Sequence, residues 1–434
     1  MLRIYLLSLF GFFCQLVYSQ VTFNGTKMFC NEWIKDQQKY YKINVASDGL
    51  YQIKVSELRE KGILTGDLFG ENVQIMHLGQ QIPAYTSQGG KMSDNDFIMF
   101  YGKKNRAEFE YPLFQNSNEL LNSEYSMFTD VSAYFLTWNT SSSNTRFSKI
   151  DNILTDTVPR DLYYIHSEKI VFTDVVNKRG QGFGNNLKYP KFDVGQGYST
   201  SPFVQKQVEL NFKNVYDNGD PAIVTATIGG SGEDGTRHKA EFHLNNELKG
   251  FESFIGFKVK TGSFEIPSIE IEDKMMLNVK ANGSPDEHIV LSNINFTYTR
   301  SFDFDQSSQA TITVPAASIR KHLVLNNFKG GATVWLVDLT NNLLLSTDRN
   351  NDGTYSFQLP VSIEDRTIFI CAEDQIASIQ NFTALRSEKI VNEDIDYLIL
   401  SHEKLINDPS QMVQKYAEYR RSQDGGSHKV KIVD

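Results

Sequence analysis

The closing stretch of the chain, residues 391–434, has the pattern that leaves the fewest folding options. Tyr397–Leu400 is a short run apolar on both faces, entered from acidic Glu393, Asp394 and Asp396. Such a strand suits the interior of a parallel sheet, where both faces are covered. A helix start follows, with Asp408 as N-cap and Pro409 at the first helical position, where its missing N–H costs nothing. Met412, Val413, Tyr416 and Tyr419 recur at helical spacing and predict one apolar face, and Gly425-Gly426 stops the helix. Val430, Ile432 and Val433 open a second strand. Strand, helix and strand in that order are the opening elements of an α/β domain.

Everything before that stretch reads as strand and turn. Residues 20–150 predict an N-terminal β-rich domain. Tyr40 to Val45 and Leu50 to Val55 flank the turn signal Asp48-Gly49 and read as a hairpin. A short helix runs from Ser56, as cap, to Gly62. Strands at 72–77, 80–85, 96–101 and 134–138 follow, and the polar 139–145 stretch is a linker. Residues 151–300 predict a β-sandwich-like domain, with strands at 163–172, 208–212, 222–228, 240–244, 254–259, 276–279 and 289–298. Residues 301–390 form a β-rich extension or third β domain, with strands at 322–325, 332–337, 343–345, 354–358 and 367–371. The aromatic content, 12% with 30 Phe and 20 Tyr, fits this strand-rich reading. The formal charge of −9 leaves no basic surplus to neutralise phosphates, which argues against nucleic acid as a partner.

Residues 1–19 read as a secretory signal: Arg3 in the n-region, an apolar run from Ile4 to Leu16, and Val17-Tyr18-Ser19 before Gln20. In an exported chain Cys30 and Cys371 have two readings, a disulfide or two separate buried thiols. Gly180, Gly182 and Gly184 lie in a Gly-rich loop, but no Lys-Ser/Thr stands where a phosphate-binding loop needs one. Asp348, Asn350 and Asp352, followed by Gly353, match the first half of a calcium-binding EF-hand loop. Leu359 stands where the closing Glu would be, so a hairpin turn is the reading adopted. His402 lies at the rim after the first α/β strand, where active sites gather. With no partner to tune it, it reads as a loop-capping or surface residue. No Cys–His pair is assigned, so the chain carries no catalytic, cofactor-binding or metal residues on this reading.

The blocks "YYKINVASDGLYQIKVSELREKGI", "IMHLGQQIPAY", "DNDFIMFYG" and "NSEYSMFTDVSAYFLTW", in that order, and "DYLILSHEKL", "YAEYRRSQDGG" and "VKIVD" at the end, carry a resemblance. They are similar to the gingipain-like cysteine peptidases, and within them to the PorU-like sortases of the type IX secretion system. The resemblance implies consecutive β-sandwich-like domains followed by the first β-α-β elements of a caspase-like α/β peptidase domain. It places the catalytic His and Cys beyond Asp434, so this chain alone is expected to be inactive. It implies cleavage of C-terminal sorting domains from exported cargo, with outer-membrane attachment-complex proteins and anionic lipopolysaccharide as further partners. The location implied is the outer membrane or cell surface of a Gram-negative bacterium. The alternative is a non-catalytic surface β-sandwich binding module.

Overall fold

The computed structural model describes residues 38–107, 110–178, 192–284, 287–385 and 394–434, with short pieces before residue 36. Residues 1–19, Cys30 and the three glycines of the Gly-rich loop lie outside the described residues. The chain is mainly β and divides into two compact units, residues 1–384 and 385–434.

The first unit is organised around one nine-stranded sheet. Its order is Ser148–Lys149, Leu343–Asp348, Thr333–Asp338, Arg366–Ala372, Gln309–Val314, Tyr163–Val171, His288–Ser301, Ala222–Ser231 and Val259–Ile266. Residues from the second and third sequence segments therefore share a single sheet. At one end it packs on the four strands Gln205–Asn211, Lys274–Ala281, Arg237–Leu244 and Glu247–Ile255. Inward residues Val224, Ala226, Ile294 and Phe296 meet Leu210, Phe242, Leu277 and Val279 in a sandwich core. Full burial of each large side chain there stabilises by about 1.5–3 kcal/mol. At the other end the pair Lys321–Leu325 and Tyr355–Leu359 covers one face, with Leu323 and Phe357 packed on Leu336, Ile368 and Ile370.

The opposite face of that end is covered too. Trp335, Val337, Phe369 and Cys371 pack against Leu50, Met99 and Tyr101 of the N-terminal segment. The strands Gly49–Lys54 and Phe97–Gly102 turn their other face, with Tyr51, Ile53, Ile98 and Phe100, to a second core formed with Tyr41–Val45, Val73–His77 and Ser132–Trp138. A sheet buried on both faces needs no polar alternation, which is why Phe97–Gly102 is almost wholly buried. The chain returns here at its far end. Ala377–Ser378 and Thr383–Ala384 add edge strands to the two N-terminal sheets.

Several local expectations need correction. Asp48-Gly49 is not a hairpin turn. Tyr41–Val45 pairs with Ser132–Trp138 and Gly49–Lys54 with Phe97–Gly102, so the two strands face each other across the core. The helix is Val55–Glu60 with Lys54 as N-cap, so Ser56 lies inside it and caps nothing. The expected strand at 254–259 is a turn: Glu247–Ile255 ends, Gly256 takes φ +66°, and Val259–Ile266 begins in another sheet. Apolar residues on both sides of that turn made it look continuous.

In the second unit Tyr397–Leu400 and Val430–Val433 pair in parallel, joined through the helix Met412–Arg421. Asp408 does not cap that helix. Its carboxylate accepts from the N–H of Ser410 at 2.9 Å, and Gln411 is the N-cap. A short helix unseen in the sequence, Glu403–Ile406, precedes it. The expected apolar face is uncovered: Met412 is 63% exposed and Tyr416 47%. Ala417 is the buried residue of this helix.

A cleft where the central sheet splits

The candidate functional site arises from one irregularity of the nine-stranded sheet. Tyr163–Val171 pairs along its whole length with His288–Ser301. With Gln309–Val314, its neighbour on the other side, it keeps register at one pair only, Ile165 with Thr313. Beyond that pair the two strands run on without cross-strand pairing, and a cavity flanks the gap on each face.

The first cavity, about 310 Å³, is lined by the side of the strand that presents Tyr164, His166, Glu168 and Ile170. Period-two alternation puts these four on one face, and the register sets Tyr164 opposite Arg300, His166 opposite Tyr298 and Glu168 opposite Phe296. Phe304, Asp305 and Lys213 also line it, with Gln309 to Thr311 on the far side of the gap. Tyr164 stacks on Phe304 with ring centroids 5.6 Å apart, and His166 meets Tyr298 edge-on at 5.4 Å. His166 Nε2 lies 3.0 Å from Glu168 Oε2, and Lys213 Nζ donates to Asp305 Oδ2 at 2.6 Å. The His166 hydrogen bond holds the Glu168 carboxyl below the usual range, against the opposing effect of burial. Burial pushes the Tyr164 and Tyr298 phenols up.

Arg300 is the unusual group. It is only 8% exposed, yet no carboxylate lies within ion-pair distance among the described residues. Its Nη2 donates to the carbonyl of Asp303 at 3.0 Å, and its Nε has no partner. A buried guanidinium normally has a hydrogen-bonded counter-ion.

The second cavity, about 640 Å³, opens on the other face, against the N-terminal segment. Arg106 binds Asp48 at 2.8 Å and approaches Glu124 at 3.6 Å, and Lys169 binds Glu124 at 2.6 Å. Burial raises the Asp48 carboxyl, but Arg106 and the N–H of Lys104 outweigh it and hold the group low. These charges are mutually satisfied, which is the arrangement of a structural network.

The residues singled out in the sequence lie elsewhere. Cys371 is fully buried among apolar side chains, and burial, with Asp374 adding to it, pushes its thiol up to about 12. A thiol held protonated in this way is not a nucleophile. His402 is exposed and caps Glu403–Ile406, its Nδ1 accepting from the N–H of Lys404 at 3.1 Å. The Asp348–Asp352 segment is a turn, but it is not a hairpin. Leu343–Asp348 and Tyr355–Leu359 belong to different sheets. Its carboxylates bond to neighbouring protein groups: Asp348 accepts from the hydroxyl of Thr333 on the paired strand, and Asp352 from the N–H and hydroxyl of Thr354. Sequence reasoning passed over Arg300. Only the run Tyr164, His166, Glu168, polar where a core strand would be apolar, hinted at a cleft.

No protein-family model matches the chain, and no curated protein matches it. Among solved structures it is similar to dimeric latent PorU from Porphyromonas gingivalis, at 15% identity and a TM-score of 0.57. That match covers 92% of this chain and 37% of PorU, so the chain spans well under half of PorU's length. A carbohydrate-binding domain of a multidomain xylanase from the hindgut metagenome of Trinervitermes trinervoides matches 30% of the chain at 10% identity and a TM-score of 0.19. The latter likeness is too slight to carry any weight. The chain has a PorU-like fold.

Proposed function

We propose that this chain is the N-terminal portion of a secreted gingipain-like cysteine peptidase of the type IX sortase type. The observation that carries the reading is the likeness to PorU across 92% of the chain. The parallel strand-helix-strand unit of residues 394–434 supports it, because it has the opening topology of an α/β peptidase domain. The reaction would be attack of a cysteine thiolate on the peptide carbonyl preceding a cargo's C-terminal sorting domain, which expels that domain as a protonated amine and leaves a thioester, then aminolysis of the thioester by an acceptor amine at the cell surface, which frees the thiol. The reading also places the protein at the outer membrane or cell surface, with an anionic lipopolysaccharide as acceptor. No helix among the described residues is long and apolar enough to cross a membrane.

Reading the coding sequence past Asp434 tests this. The expected result is further α/β sequence with a His and later a Cys, each just after a strand. Unrelated sequence would sink the peptidase reading and favour a β-sandwich binding module. The chain by itself is expected to show no thiol-alkylation-sensitive peptide cleavage, because no Cys–His pair is assigned in it and Cys371 is sealed from solvent.

A further inference from the structure

We propose that the cleft on Arg300 binds a carboxylate carried on a single ring-sized body. The carboxylate lies on the guanidinium and the body against the aromatic walls. The inference does not depend on the peptidase reading.

Three observations converge. The first is the guanidinium itself, 8% exposed and without a carboxylate partner among the described residues, while it lines the cavity. A planar fork of donors matches a carboxylate in two parallel hydrogen bonds. The second is that the nearby acids pair elsewhere, Glu168 with His166 and Asp305 with Lys213, and feel Arg300 only as a more distant charge outside ion-pair reach. The third is shape. Tyr164, Phe296, Tyr298 and Phe304 line a space of about 310 Å³, which holds one sugar or one amino-acid residue and no long chain.

Charge decides between anions. A phosphate dianion placed here would sit beside Glu168 and Asp305 and be repelled about twice as strongly as a carboxylate. A single negative charge on Arg300 is tolerated. Two sources supply such a carboxylate, a uronic-acid sugar or an amino acid with a free α-carboxyl group. Both present a body that packs on aromatic rings.

The test is calorimetric titration of the whole chain at low salt with D-glucuronate and with N-acetyltyrosine, each against its neutral counterpart, glucose or N-acetyltyrosinamide. One carboxylate is expected to bind about 10- to 100-fold tighter than its neutral counterpart, the range for a hydrogen-bonded charge. Which of the two binds names the source. In Arg300→Lys that advantage is expected to disappear, whereas Glu168→Gln retains or strengthens it. Should Arg300→Lys fail to fold, the wild-type protein still decides. With aromatic side chains isotope-labelled, carboxylate titration is expected to shift the NMR signals of Tyr164, Tyr298 and Phe304. Equal affinity for charged and neutral forms in the wild-type protein, a carboxylate advantage that survives Arg300→Lys, or shifts confined to other aromatics would each overturn the proposal.

Discussion

Arg366 is 1% exposed and Asp338 is fully buried, with Nη1 and Oδ2 3.5 Å apart. Asp338 also accepts from the N–H groups of Thr340 and Asn341, at 3.1 and 2.9 Å, and so pins the turn between two central strands. Arg366→Met would strand that carboxylate, and the expected loss is about 3–5 kcal/mol of unfolding free energy in urea titrations. Adding Asp338→Asn is expected to recover more than half of it. A second titratable group gives a pH signature. His77 stacks on Tyr134 at 4.0 Å and bonds Ser132 Oγ at 2.8 Å. Burial, and secondarily Lys103, pulls its imidazole down to about 4 from 6.5. The unfolded chain therefore takes up a proton below about 6.5 that the folded chain refuses until about 4. Stability present above pH 6.5 is lost as pH falls through that window. Allowing for partial solvent screening, His77→Gln should shrink the stability difference between neutral and acid pH by about 1–2 kcal/mol. An unchanged difference would assign the acid loss to other groups.

At the scale of elements, turn chemistry shows which local signals can be trusted. Leu78-Gly79 joins Val73–His77 to Gln80–Ile82, and both residues sit at positive φ, 54° and 75°. Both central residues of this two-residue turn therefore sit in the left-handed region, where a leucine is a poor occupant. Leu78→Asn is expected to raise stability by about 0.5–1 kcal/mol, read as a higher urea midpoint at unchanged slope. Asp48-Gly49 and Asp352-Gly353 carry stronger turn signals, yet each joins strands in different sheets. A dipeptide determines that the chain reverses. Whether the flanking strands pair depends on partners far away, Phe97–Gly102 for one and Lys321–Leu325 for the other. The same limit hid the cleft, because the split is a relation between Tyr163–Val171 and two strands more than a hundred residues further along the chain.

The whole molecule is uneven in burial. The first unit holds four large apolar cores, whereas in residues 394–434 the buried residues are Ala417 and Gly425. Leu398, Leu400 and Met412 are 58%, 75% and 63% exposed. Elements with so little buried surface open at low free-energy cost. Limited proteolysis with mass-spectrometric mapping is expected to cut first within about residues 389–421 and to leave a resistant β-rich fragment. Equal protection of both regions would refute this.

The strand-rich class, the parallel strand-helix-strand at the end and the core-strand setting of Cys371 were all legible in the residues. Each depends on short-range periodicity or on unbroken apolar runs such as Ile368-Phe369-Ile370. Only the tertiary structure decided which strands share a sheet, that residues 377–384 close the N-terminal sheets, and that Arg300 is buried without a counter-ion. The reason is physical. Alternation along a strand says which residues face together, but register and sheet order are set by packing between segments hundreds of residues apart.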